Sequence, residues 1–341
     1  MSTHRYRLLE VPEIAAGMRL DRFLARWFTD HSRSALAKGI RLDQVRDDTG
    51  KPLRASHTIR TGQRLLLFIP GIAPDSEPPP FPPILFEDDD LAVIDKPAGL
   101  MTHPAGNTFT WAVIGLAKEL WPDADLVHRI DRDTSGVLVL SKNSKANRFL
   151  KAAFKEDRVH KEYDALCRGI IPWEFQSLQG RIGPADGPIR IQMAVRSDGQ
   201  HARTDVRVSE HRTYGNGVSL TRVRCTLFTG RTHQIRVHLD HAGFPLIGDR
   251  MYGVPTDVFL HAWEHGVDES VIQAAGAPRH ALHAAQISLP LPSGGNHTVD
   301  APFPEDLSRW WDDANVLPLD GWSGETSPSD DAVPPDREID N

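Results

Sequence analysis

The sequence predicts a two-domain protein that mixes α-helices and β-strands and ends in an acidic tail. Three observations lead there. Apolar residues recur at helical spacing in some segments and in short β-branched runs in others. A proline-rich stretch, residues 70–83, separates a basic head from a longer central block. From Gly321 to Asn341 the chain is dominated by Gly, Ser, Pro, Asp and Glu, with little apolar surface to offset ordering entropy. The expected divisions are a head over residues 1–70, a linker over 71–83, a main domain over 84–304 and a disordered acidic tail over 305–341. Alternating strands and helices in the main domain fit α/β and α+β organisation equally well.

The head opens with Leu20, Phe23, Leu24 and Trp27 at i, i+3, i+4, i+7, a helix with one apolar face. Arg19, Arg22 and Arg26 fall on another face. Ser32 reads as the N-cap of a second helix from Arg33 to Gly39, and Arg64 to Ile69 as a strand. Prolines 74, 78, 79, 80, 82 and 83 can feed neither a helix ladder nor a central strand, hence the extended linker.

In the main domain, Leu91 to Asp95 is a short apolar strand ended by the turn Lys96-Pro97-Ala98-Gly99. Gly136 to Ser141 is apolar on both faces and should be buried. Ser144 is read as capping a helix whose Ala146, Phe149, Leu150, Ala153 and Phe154 form a stripe. Glu162 to Cys167 and Val218 to Leu227 read as strands, and Thr232 as the N-cap of a helix closed by Gly243.

With 341 residues, 40% hydrophobic and 25% charged, the chain supports a real core. No apolar run spans a bilayer and the N-terminus lacks a signal-peptide core, so a soluble cytoplasmic protein is expected. Two cysteines, Cys167 and Cys225, make no disulfide framework or four-cysteine zinc site and read as core packing. The net charge of −7 hides an asymmetry. Residues 1–70 carry 13 Lys/Arg against 7 Asp/Glu, and residues 301–341 carry 2 against 11. A basic head can attract phosphate whatever the total charge.

Three segments can carry chemistry. His128-Arg129-Ile130-Asp131-Arg132-Asp133-Thr134-Ser135-Gly136 packs acids, bases and hydroxyls directly before a buried strand. That is site architecture, or a solvated loop with local hydrogen bonds. In Gly230 to Leu239, Arg236 falls near the start of a helix, where the dipole does not favour a cation. It calls for a carboxylate or phosphate partner, or is a surface arginine. Tyr163, taken alone, reads as ordinary core packing. His233, His238 and His241 do not make a zincin pattern, and no phosphate loop or nucleophile elbow occurs. No metal or cofactor is expected.

Taken together, these segments resemble the RluA-type pseudouridine synthases. Asp95-Lys96-Pro97-Ala98-Gly99-Leu100 with His103-Pro104, His128 to Lys142, Lys161 to Ala165, Gly230 to Leu239, Gly243 to Asp249 and Leu282-His283-Ala284 match in order over roughly residues 84–295. The head is similar to an S-four-type RNA-binding domain in Gly17 to Leu24 and Ser32 to Ser34. It departs where Gly-x-Val-x-Val-Asn-Gly is replaced by Arg41 to Asp48.

The resemblance implies an α+β pseudouridine synthase fold around a bent, mixed, mostly antiparallel sheet, with a small α/β head. It implies isomerisation of uridine in structured RNA without a cofactor. Asp131 would be the reacting carboxylate, Arg236 its ion-pair partner, Tyr163 the ring that stacks on the base, and Arg129 the side chain that enters the RNA as the uridine leaves. A hydroxyl such as that of Tyr163 is a candidate for removing the proton on ring carbon 5. Arg19, Arg22, Arg26, Arg33, Lys38 and Arg41 are the candidate phosphate contacts of the head. Large-subunit ribosomal RNA is the expected partner, transfer RNA the second, and the chain is expected to be a monomer with no membrane partner. Competing readings are a noncatalytic RNA-binding protein and a glycoside hydrolase pairing Asp131 with Asp133.

Overall fold

The computed structural model describes residues 6–27, 36, 39–41, 44–68, 78–103 and 112–313. Ser32, Arg33 and Lys38 lie outside the described residues, as does the tail beyond 313. The chain groups into two units: residues 1–81 with 100–122, and residues 82–99 with 123–341. The excursion 100–122 therefore packs with the head, where the sequence had suggested one unbroken domain from residue 84.

The first unit has a three-stranded antiparallel sheet in the order β1 (Tyr6–Glu10), β3 (Arg64–Phe68), β2 (Val45–Asp47). Helix α1 (Leu20–Trp27) buries Leu20, Phe23 and Leu24 against Ile59, Leu65 and Leu67, as its spacing requires. Residues 39–41 are helical, so Gly39 is not the stop. Arg22, Arg26 and Arg41 are exposed, whereas Arg19 is engaged by Asp21 through two hydrogen bonds of 3.0 and 3.1 Å. Helix α2 (Val113–Leu120) completes this unit.

The second unit is built on one mixed sheet of 11 strands. In chain order these are β4 (Ile84–Glu87), β5 (Leu91–Lys96), β6 (Asp125–Leu126), β7 (Ser135–Ser141), β8 (His160–Arg168), β9 (Phe175–Pro184) and β10 (Met193–Val195). Then come β11 (Gln200–Thr213), β12 (Ser219–Leu227), β13 (Leu282–Pro290) and β14 (Asn296–Asp300). The spatial order is β10-β9-β11-β12-β8-β13-β7-β5-β4, with β14 on β13 and β6 on β7. Every pairing is antiparallel except β7 with β13. This is the mixed, largely antiparallel α+β sheet that the resemblance implied. Cys167 and Cys225 are free and buried within it.

The helices are α3 (Ser144–Lys155), α4 (Gln234–His241), α5 (Thr256–His265), α6 (Glu269–Ala275) and α7 (Glu305–Asp312). Asn143, not Ser144, caps α3: its side chain accepts from Ala146 N at 2.8 Å. Helix α7 corrects the boundary of the tail. Leu307, Trp310 and Trp311 are buried against Leu166, Leu220 and Ile247, so ordered structure continues past residue 304. Among the described residues no helix is long and apolar enough to cross a membrane.

Candidate active site

The site starts with the way β7 is locked into the sheet. All seven of its residues are buried. Gly136 has φ +105°, and a Cβ there would stand 2.1 Å from the carbonyl oxygen of Ala284 on parallel β13. Only glycine allows that approach. The polar loop before β7 is pinned as well. His128 Nε2 accepts from Val139 N at 3.0 Å and its ring stacks on Phe154, while Thr134 N donates to the Asp131 carbonyl at 3.2 Å. Burial pulls the His128 pKa down to about 3, so the ring is neutral and can accept. Ala284 also pairs with Tyr163 on β8, which sets Tyr163 level with the start of β7.

Opposite this loop, α4 presents Arg236. Thr232 does not cap the helix. The residue before α4 is His233, in the left-handed conformation with φ 57°, and its side chain makes no cap. Gln234 organises the turn instead. Its Oε1 accepts from Arg231 N at 3.0 Å and Thr229 Oγ1 at 2.7 Å, and its Nε2 donates to Arg203 O at 2.9 Å.

Arg236 bridges two carboxylates. Nη1 lies 2.8 Å from Asp131 Oδ2, while Nε and Nη2 donate to Asp249 at 2.6 and 2.9 Å. Asp249 is 0% exposed and also accepts from Met251 N and Tyr252 N. Gly248 makes its position possible: with φ +73°, a Cβ there would lie 1.8 Å from the Arg279 carbonyl. The Asp131 side chain is 30% exposed. Burial is the largest influence and opposes its ionisation, but the surrounding groups, led by the charge of Arg236 and including its hydrogen bond, together outweigh burial and hold it below the usual carboxylate range. Asp249 is also held well below the usual range, against burial, chiefly by the same guanidinium.

Asp131, Tyr163 and Arg236 all line one cleft of about 600 Å³. Arg129 is exposed at its wall, and Lys155, Lys161 and Arg231 add positive charge. The Tyr163 phenol is pushed above its ordinary range by burial first and by the Asp131 charge second, so it stays protonated. Arg19, Arg22, Arg26 and Arg41 belong to the first unit.

Lys96 and His280 carry no role in the expectations from sequence, and Asp133 enters them only as the second carboxylate of the glycoside hydrolase reading. Lys96 is fully buried and donates to Pro97 O and Arg132 O, both at 2.9 Å. Burial brings its pKa to about 7, with Asp133 and Asp131 opposing that fall. Asp133 pairs with Arg132 and Arg250, which rules it out as a free second carboxylate. His280 is hydrogen-bonded to Thr134 at 2.8 Å. Asp249 closes the segment Gly243 to Asp249, and an acid directly after a glycine at the end of an apolar run was the available signal. Among the described residues no three of His, Cys, Asp and Glu are grouped to hold a metal.

The geometry agrees with comparisons to known proteins. Residues 90–241 match the family described as RNA pseudouridylate synthase. A "Ribosomal large subunit pseudouridine synthase D" from Xanthomonas campestris pv. campestris is 38% identical over 315 residues, covering 88% of this chain and 89% of that protein. The protein of that name from Pseudomonas aeruginosa is 35% identical over 323 residues, covering 90% and 95%. Among solved structures, human RNA pseudouridylate synthase domain containing 1 aligns with TM-score 0.54 and 27% identity, over 68% of this chain and 89% of that one. The chain belongs to the RNA pseudouridylate synthase family, in its RluA-type branch, and is an RNA pseudouridine synthase.

Proposed function

We propose that this enzyme isomerises specific uridines of large-subunit ribosomal RNA, with Asp131 as the reacting carboxylate. The observation that carries the assignment is the Asp131–Arg236 ion pair in a basic cleft, anchored from behind by Asp249. A carboxylate held ionised and oriented can attack or begin elimination at the sugar. Its Oδ2 is engaged by Arg236, and Oδ1 has no hydrogen-bond partner among the described residues. The target base is hidden in a stack, and extruding it costs a few kcal/mol. Tyr163 recovers part of this by stacking, roughly 1–3 kcal/mol, while Arg129 fills the space the nucleotide leaves. The glycosidic bond breaks, the uracil turns, and carbon 5 rejoins carbon 1′ of the ribose. One proton leaves carbon 5 and one is gained at N1, with no redox change and no external group.

The head supplies sequence-independent phosphate attraction through Arg22, Arg26 and Arg41, with Arg33 and Lys38 assigned from sequence alone. Arg19 contributes less, because Asp21 engages it. A cytoplasmic monomer fits this role, and the names of the bacterial relatives favour ribosomal RNA over transfer RNA. The test is pseudouridine mapping of total RNA from cells with the protein, without it, and with Asp131→Asn. Sites lost from large-subunit RNA in both of the latter support the reading. Loss confined to transfer RNA overturns the ribosomal assignment, and product from Asp131→Asn overturns the carboxylate.

A further inference from the structure

His233 is the one described residue other than glycine, besides Asp157, with a positive φ. A left-handed residue just before α4 costs on the order of 1 kcal/mol or more, so the surrounding structure must impose it. It brings the imidazole into the cleft, with Nε2 3.9 Å from Asp131 Oδ2. That is too long for a hydrogen bond. The other ring nitrogen, Nδ1, lies 2.9 Å from the hydroxyl of Tyr252.

Tyr252 decides which nitrogen carries the proton. Its oxygen accepts from Met193 N at 3.0 Å, and its ring is buried with the Arg236 guanidinium 5.0 Å above it. Among the described residues Nδ1 is the acceptor within hydrogen-bond reach of the Tyr252 hydroxyl, so the buried phenolic proton is satisfied by donating to it. Nδ1 is then an acceptor, and the ring proton sits on Nε2, facing the cleft beside Asp131. Burial and the charge of Arg236 hold the ring neutral at neutral pH, against the opposing pull of Asp131 and Asp249. A neutral donor suits this position, because Arg236 already supplies the cation that Asp131 needs, and a neutral N–H stays available to the base.

We infer that His233, with its tautomer fixed by Tyr252, donates Nε2–H to a carbonyl oxygen of the extruded uracil and is a further catalytic residue. When the bond from ribose carbon 1′ to N1 breaks, its electron pair stays with the uracil and charge spreads to the carbonyl oxygens. A fixed donor there stabilises the departing ring, and the same pair closes the new carbon–carbon bond at carbon 5. No proton leaves His233 in this step. The inference rests on the reading of the cleft as the uridine site.

Two measurements on the full chain test it. In the first, unmodified large-subunit ribosomal RNA transcript is the substrate in single and multiple turnover. His233→Ala should lower kcat roughly 10²-fold with KM little changed. His233→Gln, which keeps an N–H donor, should recover part of the loss. Tyr252→Phe should fall between wild type and His233→Ala. A kcat for His233→Ala within a factor of about three of wild type overturns the role. The second needs no RNA. Ring ¹⁵N shifts of the histidines, assigned by the signal missing in His233→Ala, should give the Nε2–H form for His233 and a mixture in Tyr252→Phe. An Nδ1–H form in the wild type overturns the inference. Wild-type protein that leaves the transcript unmodified refutes the ribosomal reading, and the tautomer measurement then judges His233 by itself.

Discussion

Arg236 gives one of its three guanidinium nitrogens to Asp131 and the other two to Asp249. The cleft-facing carboxylate is therefore oriented through a second carboxylate that solvent does not reach. A lysine at position 236 would keep the positive charge but could not span both acids in one plane. Arg236→Lys should lower the single-turnover rate roughly 10²-fold or more, because a misplaced reacting group loses orientation as well as charge. RNA affinity, measured by filter binding, should change little. Near wild-type turnover in Arg236→Lys would mean that charge alone suffices and that the bridge has no catalytic weight.

The two acids should separate in their effects. Asp249 is fully buried, with the guanidinium and two backbone N–H groups as its partners. Removing it leaves two guanidinium nitrogens and two backbone N–H groups without an acceptor where solvent does not reach, a loss of about 3–5 kcal/mol. Asp249→Ala should therefore shift the urea midpoint of the second unit markedly and lower activity with it. Asp131→Asn removes a partly exposed charge and should leave that midpoint nearly unchanged while abolishing product. Equal midpoint shifts for the two substitutions would contradict a scaffold role for Asp249.

Acid should destabilise the protein before its paired carboxylates titrate. His128 and His280 are brought to about 3, and His233, His238 and His283 to about 4, in each case chiefly by burial. For a histidine with a depressed folded pKa, the unfolded chain binds more protons between the two values. Stability is then full above about 6.5 and is lost as pH falls towards 4. Asp133, held at about 2 against burial by its arginine partners, contributes only further down. The thermal midpoint should thus begin to fall below roughly pH 6.5. A midpoint flat from pH 7 to 4.5 would mean these rings are protonated in the folded protein.

Much of the site was legible locally, and its closure was not. A cation at the start of a helix called for an anionic partner, and Arg236 has two. Which acids they are depends on contacts spanning 105 and 13 residues, which no local periodicity encodes. The α4 cap was misread because a left-handed His233 is imposed by tertiary packing, while capping statistics favour Thr232. Apolar runs located the strands, but the parallel β7–β13 pairing that decides the sheet type joins residues almost 150 positions apart. In the tail, acidic composition masked Trp310 and Trp311, which pack although their neighbours are charged.

The meeting of β7 and β13 yields a controlled prediction. Gly136 and Gly217 both have positive φ, +105° and +83°. At Gly217 a Cβ would meet nothing within 4 Å, so Gly217→Ala should cost only the backbone strain, about 1–2 kcal/mol. At Gly136 the same methyl would meet the backbone C, N and O of Ala284, none of which can swing aside as a flexible side chain would. The strands would have to part where β7 begins, directly after the Asp131 loop and beside Tyr163 on the neighbouring strand. Gly136→Ala should therefore cost more than about 3 kcal/mol and reduce turnover even in the fraction that folds. Urea midpoints and active-site-normalised rates for the two variants check this. Equal losses would show that backbone conformation, and not the close approach of β13, is what selects glycine at position 136.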